Sequence, residues 1–423
     1  MKNVLVIGAG PAGMAAAIGA ARAGAKVTLL EGENVPGKKL LLTGNGSCNL
    51  TNLDDDCAER YGSMGPGAAA FAAPATESFG PRDVCRFFEE LGMPLTVRDG
   101  LVYPASRSAR TVLDVLLAEL KRLKVTVKCS EKIREIRRTD VFEASTGSWT
   151  YRGDALILCA GSKACPRTGS DGSGYDLAAQ AGLGVTKVMP ALTALVPEDP
   201  AIIRACAGVR CQAALSLLDA EGKVFPAGEK VCPDEIGELQ IARDGISGIA
   251  VFQLSRYAAR ILAGGGRPVL VLDLFPQYTG EEFLGILRGC AARAQDETCA
   301  AAFAGLAVPK LTTFLLEAAG IAPSGPLTED AGEACLRLMS KAKRLQIPVR
   351  GTRSFEDCQV CAGGVSTGEI DPQTLMAKKV PGLYIAGELA DIDGPCGGYN
   401  LQWAWASGML AGRSAAAALP ERN

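Results

Sequence analysis

The feature that most constrains this chain is an ordered run in residues 2–31, KNVLVIGAGPAGMAAAIGAARAGAKVTLLE: strand, glycine turn, helix, strand, acid. Residues 4–7 are aliphatic and β-branched, the composition of a strand buried on both faces. Gly8, Gly10 and Gly13 follow in G-x-G-x-x-G spacing, with Pro11 and Ala12 opening a small-residue helix. Gly8 allows the tight turn, Gly10 lets backbone approach a pyrophosphate, and Gly13 lets helix and strand pack closely. Free N–H groups at the helix start suit phosphates, and Glu31, closing the second strand, is placed to accept from ribose hydroxyls. A Gly-rich turn in another α/β fold is the alternative, but it does not account for the terminal acid. That acid also repels a 2′-phosphate, so FAD or NAD fits better here than NADP.

With 423 residues, two or three domains are expected. The 44 basic and 46 acidic side chains leave a formal charge of −2, which gives no electrostatic reason to expect nucleic acid as a partner. No apolar run is long enough to span a bilayer, and no leader precedes the first strand, so a cytoplasmic protein is expected. The chain has no histidine, which excludes Ser-His-Asp and Cys-His catalysis and His-ligated zinc. Chemistry must therefore rest on a cofactor or on Tyr, Lys, Arg, Cys or carboxylates. Fifteen cysteines read as reduced core thiols, and Cys358 and Cys361 are the close pair. A dithiol beside a flavin would be of interest, but DCQVCAGGVS reads as a strand entering a glycine turn, where Cys acts as a small hydrophobe.

Along the chain, residues 32–52 are too rich in Gly, Asn and Thr for a plain helix or strand. Their amides and small side chains suit a flat ring, making Gly37, Lys38, Lys39, Leu40, Gly44, Asn45, Cys48 and Asn49 candidate cofactor contacts. Residues 54–74 read as loop, 108–124 as an amphipathic helix, and 125–151 as a strand and a β-meander that begins at Ile133, a further candidate contact. Residues 155–159 form a buried strand closing on Ala160 and Gly161, the second cofactor element. From about 191 to 350 the βαβ rhythm stops. Strands are expected at 194–196, 208–210, 213–218, 222–224 and 269–274, with a helix over 246–261 and a largely helical stretch over 280–343. The third cofactor element follows: a strand into Gly387 and Glu388, a glycine loop, and a helix over 400–418. Gly398, Tyr399, Asn400, Leu401 and Gln402 lie at that helix start, where the dipole stabilises negative charge on a reduced flavin ring.

The stretches GKKLLLTGNGSCNLTN, GISGIAVFQLS, AGGVSTGEID and GLYIAGELADIDGPCGGYNLQWAWASG resemble the BaiN-type (YhiN-type) bacterial flavoproteins, essentially end to end. The resemblance implies an α/β fold: a Rossmann-like, glutathione-reductase-like split FAD domain over 1–190 and 351–423. It also implies an inserted β-barrel over 191–278 and 344–350, and a helical subdomain over 279–343. It implies one FAD and, as the activity of a named member, NAD(P)H-dependent reduction of conjugated C=C bonds in 3-oxo bile acids. Other relatives are aminoacetone-oxidase-like. The chain departs from the pattern at Ile241-Ala242, where relatives often carry Phe-Thr, and at Cys361, where they carry Thr. Both changes bear on the substrate pocket more than on FAD. The leading expectation is an ene-reductase taking hydride from NADH or NADPH, with Tyr399, Arg350, Arg353 and Lys163 as candidate proton donors. An oxygen-dependent amino-ketone oxidase and a non-catalytic flavin-binding accessory protein share the same FAD elements. No second nucleotide fingerprint is present, so NAD(P)H would dock transiently.

Overall fold

The computed structural model describes residues 1–417 apart from 229, 233, 295–296 and 328–330. It divides into two compact units, Met1–Pro190 with Phe355–Asn423, and Ala191–Ser354.

The first unit is built on five parallel strands: β1 (Asn3–Ile7), β2 (Lys26–Leu30), β3 (Thr126–Lys128), β4 (Ala155–Leu158) and β5 (Leu383–Ile385). Their order is β5-β4-β1-β2-β3, so the first strand sits at the centre and the last completes one edge. Val6 lies opposite Leu29 on one side and Ile157 on the other, and Ile157 lies opposite Tyr384. These positions are fully buried or nearly so, which is why the strands read as unbroken apolar runs. Four helices matter for the site: α1 (Pro11–Arg22), α2 (Ala109–Arg122), α3 (Ser173–Gln180) and α4 (Tyr399–Ala416). The expected last helix ran to Ala418, which lies outside the described residues. The antiparallel meander is present as Glu135–Arg138, Phe142–Ser145 and Thr150–Gly153.

One stretch of this unit departs from expectation. Residues 54–74 are not all loop, because a helix spans Ala68–Ser78 with Pro74 inside it. Composition misleads here: the helix survives its proline because Phe71, Ala72 and Ala75 are buried, and Phe71 packs on Trp403 with ring centroids 6.1 Å apart.

The second unit contains a closed barrel of six strands, in order Leu195–Pro197, Gly245–Ser247, Glu235–Ala242, Arg210–Asp219, Pro268–Asp273 and Leu345–Thr352. Helix Ile249–Ala263 packs against its strands. Helices Gly280–Arg293, Cys299–Ala302, Pro309–Ala318 and Ala331–Lys343 follow. Three local expectations are corrected. Residues 210 and 213–218 belong to one continuous strand, Arg210–Asp219, with 208 and 209 lying before it, and 222–224 form no strand. The helix expected from 246 starts at Ile249, because Gly248 has φ +121° and a Cβ there would sit 2.1 Å from the Glu238 carbonyl oxygen. The barrel strand also runs past the expected return at Gly351, pairing Gly351 with Val196 and Thr352 with Leu195, and the unit ends at Ser354. The fold class is the expected one: a Rossmann-type α/β domain interrupted by a barrel-containing insertion.

The two parts of the first unit meet along α1 and α4. A Cβ on Gly408 would lie 2.3 Å from the Ala12 carbonyl oxygen, and one on Gly412 would lie 2.2 Å from that of Ala16. These are backbone contacts, so neither side can yield by rotating a side chain. Gly412→Ala is therefore expected to destabilise this unit by about 1–3 kcal/mol, the usual cost of overpacking. All three tryptophans, Trp149, Trp403 and Trp405, belong to this unit, so urea unfolding followed by their emission reads it. An unchanged midpoint would show that the helices can separate without cost.

Candidate functional site

The first unit contains a cleft enclosing about 1320 Å³, part of it open to solvent. Its floor is the turn from β1 into α1. Gly8 has φ +97°, its N–H donates to the Leu30 carbonyl at 2.7 Å, and a Cβ there would meet the Cys159 oxygen at 2.5 Å. A Cβ on Gly13 would fall 1.8 Å from the Gly8 oxygen, so α1 is seated directly on the turn. At Gly10 the reverse holds, with nothing within 4 Å of that position. The chain is closed on its protein side and open on its cleft side. No side chain caps the N-terminus of α1.

Two carboxylates define the walls. Glu31 accepts the Ala9 N–H at 2.7 Å through Oε2 and the Glu33 N–H at 2.9 Å through Oε1. Burial pushes its pKa up, and the two backbone donors partly oppose this. Glu388 accepts from Lys39 Nζ at 2.6 Å through Oε2, while its buried Oε1 has no partner. Burial would lower Lys39, but the Glu388 charge and hydrogen bond outweigh it and hold Lys39 above its ordinary value.

The cleft brings together many of the residues singled out from sequence: Gly8, Gly10, Pro11 and Ala12 from the first turn, Glu31 from β2, and Gly37, Lys38, Lys39 and Leu40 from the following loop. Ile133, Ala160, Gly161, Glu388, Asn400 and Leu401 complete this set. Others lie behind the lining and hold it in place. Gly44 and Asn45 take left-handed conformations in the loop's kink. Cys48 is fully buried, and burial pushes its thiol up to about 12, so it is a small packing group. Asn49, with its amide oriented to satisfy its neighbours, donates to the Val102 and Thr51 carbonyls and accepts the Gly398 N–H at 3.1 Å. A Cβ on Gly398 would collide with Thr51 at 2.6 Å. Gly387 donates to Ser407 Oγ, and Gln402 bridges Thr51 Oγ1 and the Phe79 carbonyl.

Several lining residues were not singled out, among them Thr43, Lys132, Ser170, Gln359 and Val360. For Ser170 a signal existed, the GSDGSG stretch directly after the second glycine element. Gln359 and Val360 sit between two cysteines, and nothing in their pattern marks them.

The four candidate proton donors divide between the two units, Tyr399 and Lys163 in the first and Arg350 and Arg353 in the second. Tyr399 is buried, is not among the cleft-lining residues, and donates its hydroxyl to Asp54 Oδ2 at 2.9 Å. Burial, then that bond, pushes its phenol up to about 12. Lys163 is exposed, with Nζ 6.0 Å from the Phe355 ring centroid. Arg350 and Arg353 belong to the other unit, where Arg350 is exposed on a barrel strand and Arg353 pairs with Asp244.

The residues present fit the FAD expected from sequence. The open face of Gly10 and the uncapped start of α1 suit a pyrophosphate. Each Glu31 oxygen keeps a lone pair for a ribose hydroxyl. The orphaned Glu388 oxygen, buried in the wall, asks for a hydroxyl donor such as the ribityl chain provides. Among the described residues, no group of three or more His, Cys, Asp or Glu side chains is placed to hold a metal ion, and no helix is long and apolar enough to cross a membrane.

Comparison with known proteins gives a consistent family. The chain is 38% identical to the 3-dehydro-bile acid delta(4,6)-reductase of Clostridium scindens over 98% of this chain and 99% of that one. It is 28% identical to the ribosomal RNA dihydrouridine synthase of Escherichia coli, over 98% of each chain. The protein of that name from Haemophilus influenzae is 26% identical, over 95% of this chain and 96% of that one. Among solved structures, a 3-ketosteroid-delta4-(5alpha)-dehydrogenase from Rhodococcus jostii aligns over 99% of this chain and 97% of its own, with a TM-score of 0.47 and 15% identity. The family described as HI0933-like protein Rossmann domain matches residues 2–414, and the chain belongs to that family.

Proposed function

We propose that this protein is an FAD-dependent reductase of C=C bonds conjugated to a carbonyl, using NADH or NADPH and acting on a small enone of the 3-oxo bile acid or steroid class. The observation that carries this reading is the 38% identity to a bile acid delta(4,6)-reductase across nearly the whole of both chains. The relatives named as dihydrouridine synthases act on a uridine base, whose C5=C6 bond is also conjugated to a carbonyl. The two named activities thus share one reaction class and differ in the size and charge of what must be bound. A formal charge of −2 gives this chain no general attraction for a polyanion, so the small enone is favoured.

Bound FAD would supply the two-electron chemistry that joins a nicotinamide donor to an enone acceptor. The chain's own part is positioning. Gly10 and the first N–H groups of α1 would hold the pyrophosphate, and Glu31 the adenosine ribose. Glu388, steadied by Lys39, would accept from the ribityl chain. The N–H groups at the start of α4, reached past Asn400 and Leu401, would favour negative charge on the ring's pyrimidine end. Tyr399 we read as a positioning residue, because its proton is already committed to Asp54.

Three outcomes follow. Glu31→Gln should weaken FAD binding at least about tenfold, the effect of losing a charged acceptor, as read by flavin retained after gel filtration against a dilution series. Tyr399→Phe should leave turnover within about threefold while lowering stability by about 1 kcal/mol, and a hundredfold loss of kcat would restore Tyr399 as the donor. Most directly, NADH or NADPH added anaerobically should bleach the flavin, and a 3-oxo-Δ4,6 steroid should reoxidise it faster than oxygen does. Reoxidation by an rRNA fragment but by no enone would move the reading to base reduction. Bleaching by an amino-ketone but by neither nucleotide would make the protein an oxidase.

A further inference from the structure

Cys358 and Cys361 are buried to 0% and 2% exposure and, with Ala164, form a small cluster separate from both main cores. Cys358 Sγ donates to the Phe355 carbonyl at 3.5 Å, and each cysteine side chain acts on the other's acidity. The two residues between them, Gln359 and Val360, line the cleft. On the cleft side the pair faces Lys39 and Glu388, whose charges both act on Cys361, and Ser162 hydrogen-bonds to it. A third thiol, half-buried Cys165, donates to the Cys358 carbonyl at 3.3 Å.

Packing alone does not require this arrangement. Two small hydrophobes could fill the cluster, yet here two thiols share it, close to half-buried Lys39 and directly behind two residues of the cleft wall. The C-x-x-C spacing permits ring closure, which needs the sulfurs to approach to about 2.05 Å. The contact with Cys361 and burial together push the Cys358 thiol up, while the same contact holds Cys361 down. Of the two, Cys361 is the more easily deprotonated.

We propose that Cys358 and Cys361 form a dithiol–disulfide redox pair that exchanges two electrons with the FAD of the cleft, an inference that rests on the flavin reading above. In the oxidising direction two S–H bonds break and one S–S bond forms. The two electrons and two protons convert FAD to its reduced form, and the reverse step opens the disulfide. The protein then stores four electrons per subunit, two on sulfur and two on flavin.

The test uses holoenzyme oxidised with diamide, freed of it, and titrated anaerobically with dithionite, with samples quenched in acid, alkylated and mapped by mass spectrometry. Wild type should show a Cys358–Cys361 peptide 2 Da lighter than the dithiol form before titration. It should take up two two-electron equivalents per FAD, with the disulfide opening as the flavin bleaches. Cys361→Thr should keep its flavin and take up one equivalent, and Cys165→Ser should behave as wild type. Flavin content is measured first, so a protein without flavin fails the earlier reading and this one together. A flavin-containing protein in which both cysteines stay alkylatable after diamide, or in which the disulfide survives full flavin reduction, overturns the redox pair alone.

Discussion

The structure of the first unit depends on backbone meeting backbone where α4 lies on α1. Gly408 and Gly412 face the carbonyls of Ala12 and Ala16 at distances that leave no room for a methyl group. Helices this close are held by dispersion along their whole contact and by exclusion of water, and tolerate no intervening side chain. The contact joins a segment near the start of the chain to one near its end, with the whole second unit inserted between them in sequence. It also fixes where both helix N-termini point. Trp403 and Trp405 carry that order outward, their indole N–H groups donating to the Gly387 carbonyl at 2.9 Å and the Leu50 carbonyl at 3.0 Å. One seam thus sets the loops on both sides of the cleft.

The two acids of the cleft solve opposite electrostatic problems. Glu31 is desolvated and, among the described residues, has no cation paired with it, so its charge is held by backbone dipoles from Ala9 and Glu33. Glu388 is held by Lys39 on one oxygen and left open on the other. A dinucleotide would present hydroxyls to both and phosphates to neither. The uncapped helix start, which carries a partial positive charge, lies where a phosphate would come.

Where the sequence was legible, one physical requirement dominated each position. Gly8, Gly10 and Gly13 admit one reading once a strand precedes and a helix follows, and the buried strands at 4–7 and 155–158 announce themselves by composition. Legibility failed where tertiary contacts overrode local preference. Pro74 sits in a helix because Phe71 packs on Trp403, and the break before Ile249 depends on a carbonyl from another strand, at Glu238. Tyr399 failed for a different reason. Its place beside the glycine loop was readable, but the direction of its hydroxyl depends on Asp54, hundreds of positions away in sequence. Spacing gives a side chain its address but not its partner.

The absence of histidine and the abundance of cysteine belong together. Without an imidazole, no side chain has an unperturbed titration near neutrality, so a group active at cellular pH must be shifted there or carried by a cofactor. Most thiols in this chain are moved the wrong way: burial pushes Cys48, Cys57, Cys206, Cys211 and Cys232 up, away from reactivity. Cys361 is held down, through Cys358 first and with Ser162 and Lys39 acting in the same direction, although burial and Glu388 oppose them. Lys39 therefore serves two acidic groups, the Glu388 carboxylate in the cleft wall and the Cys361 thiol behind it.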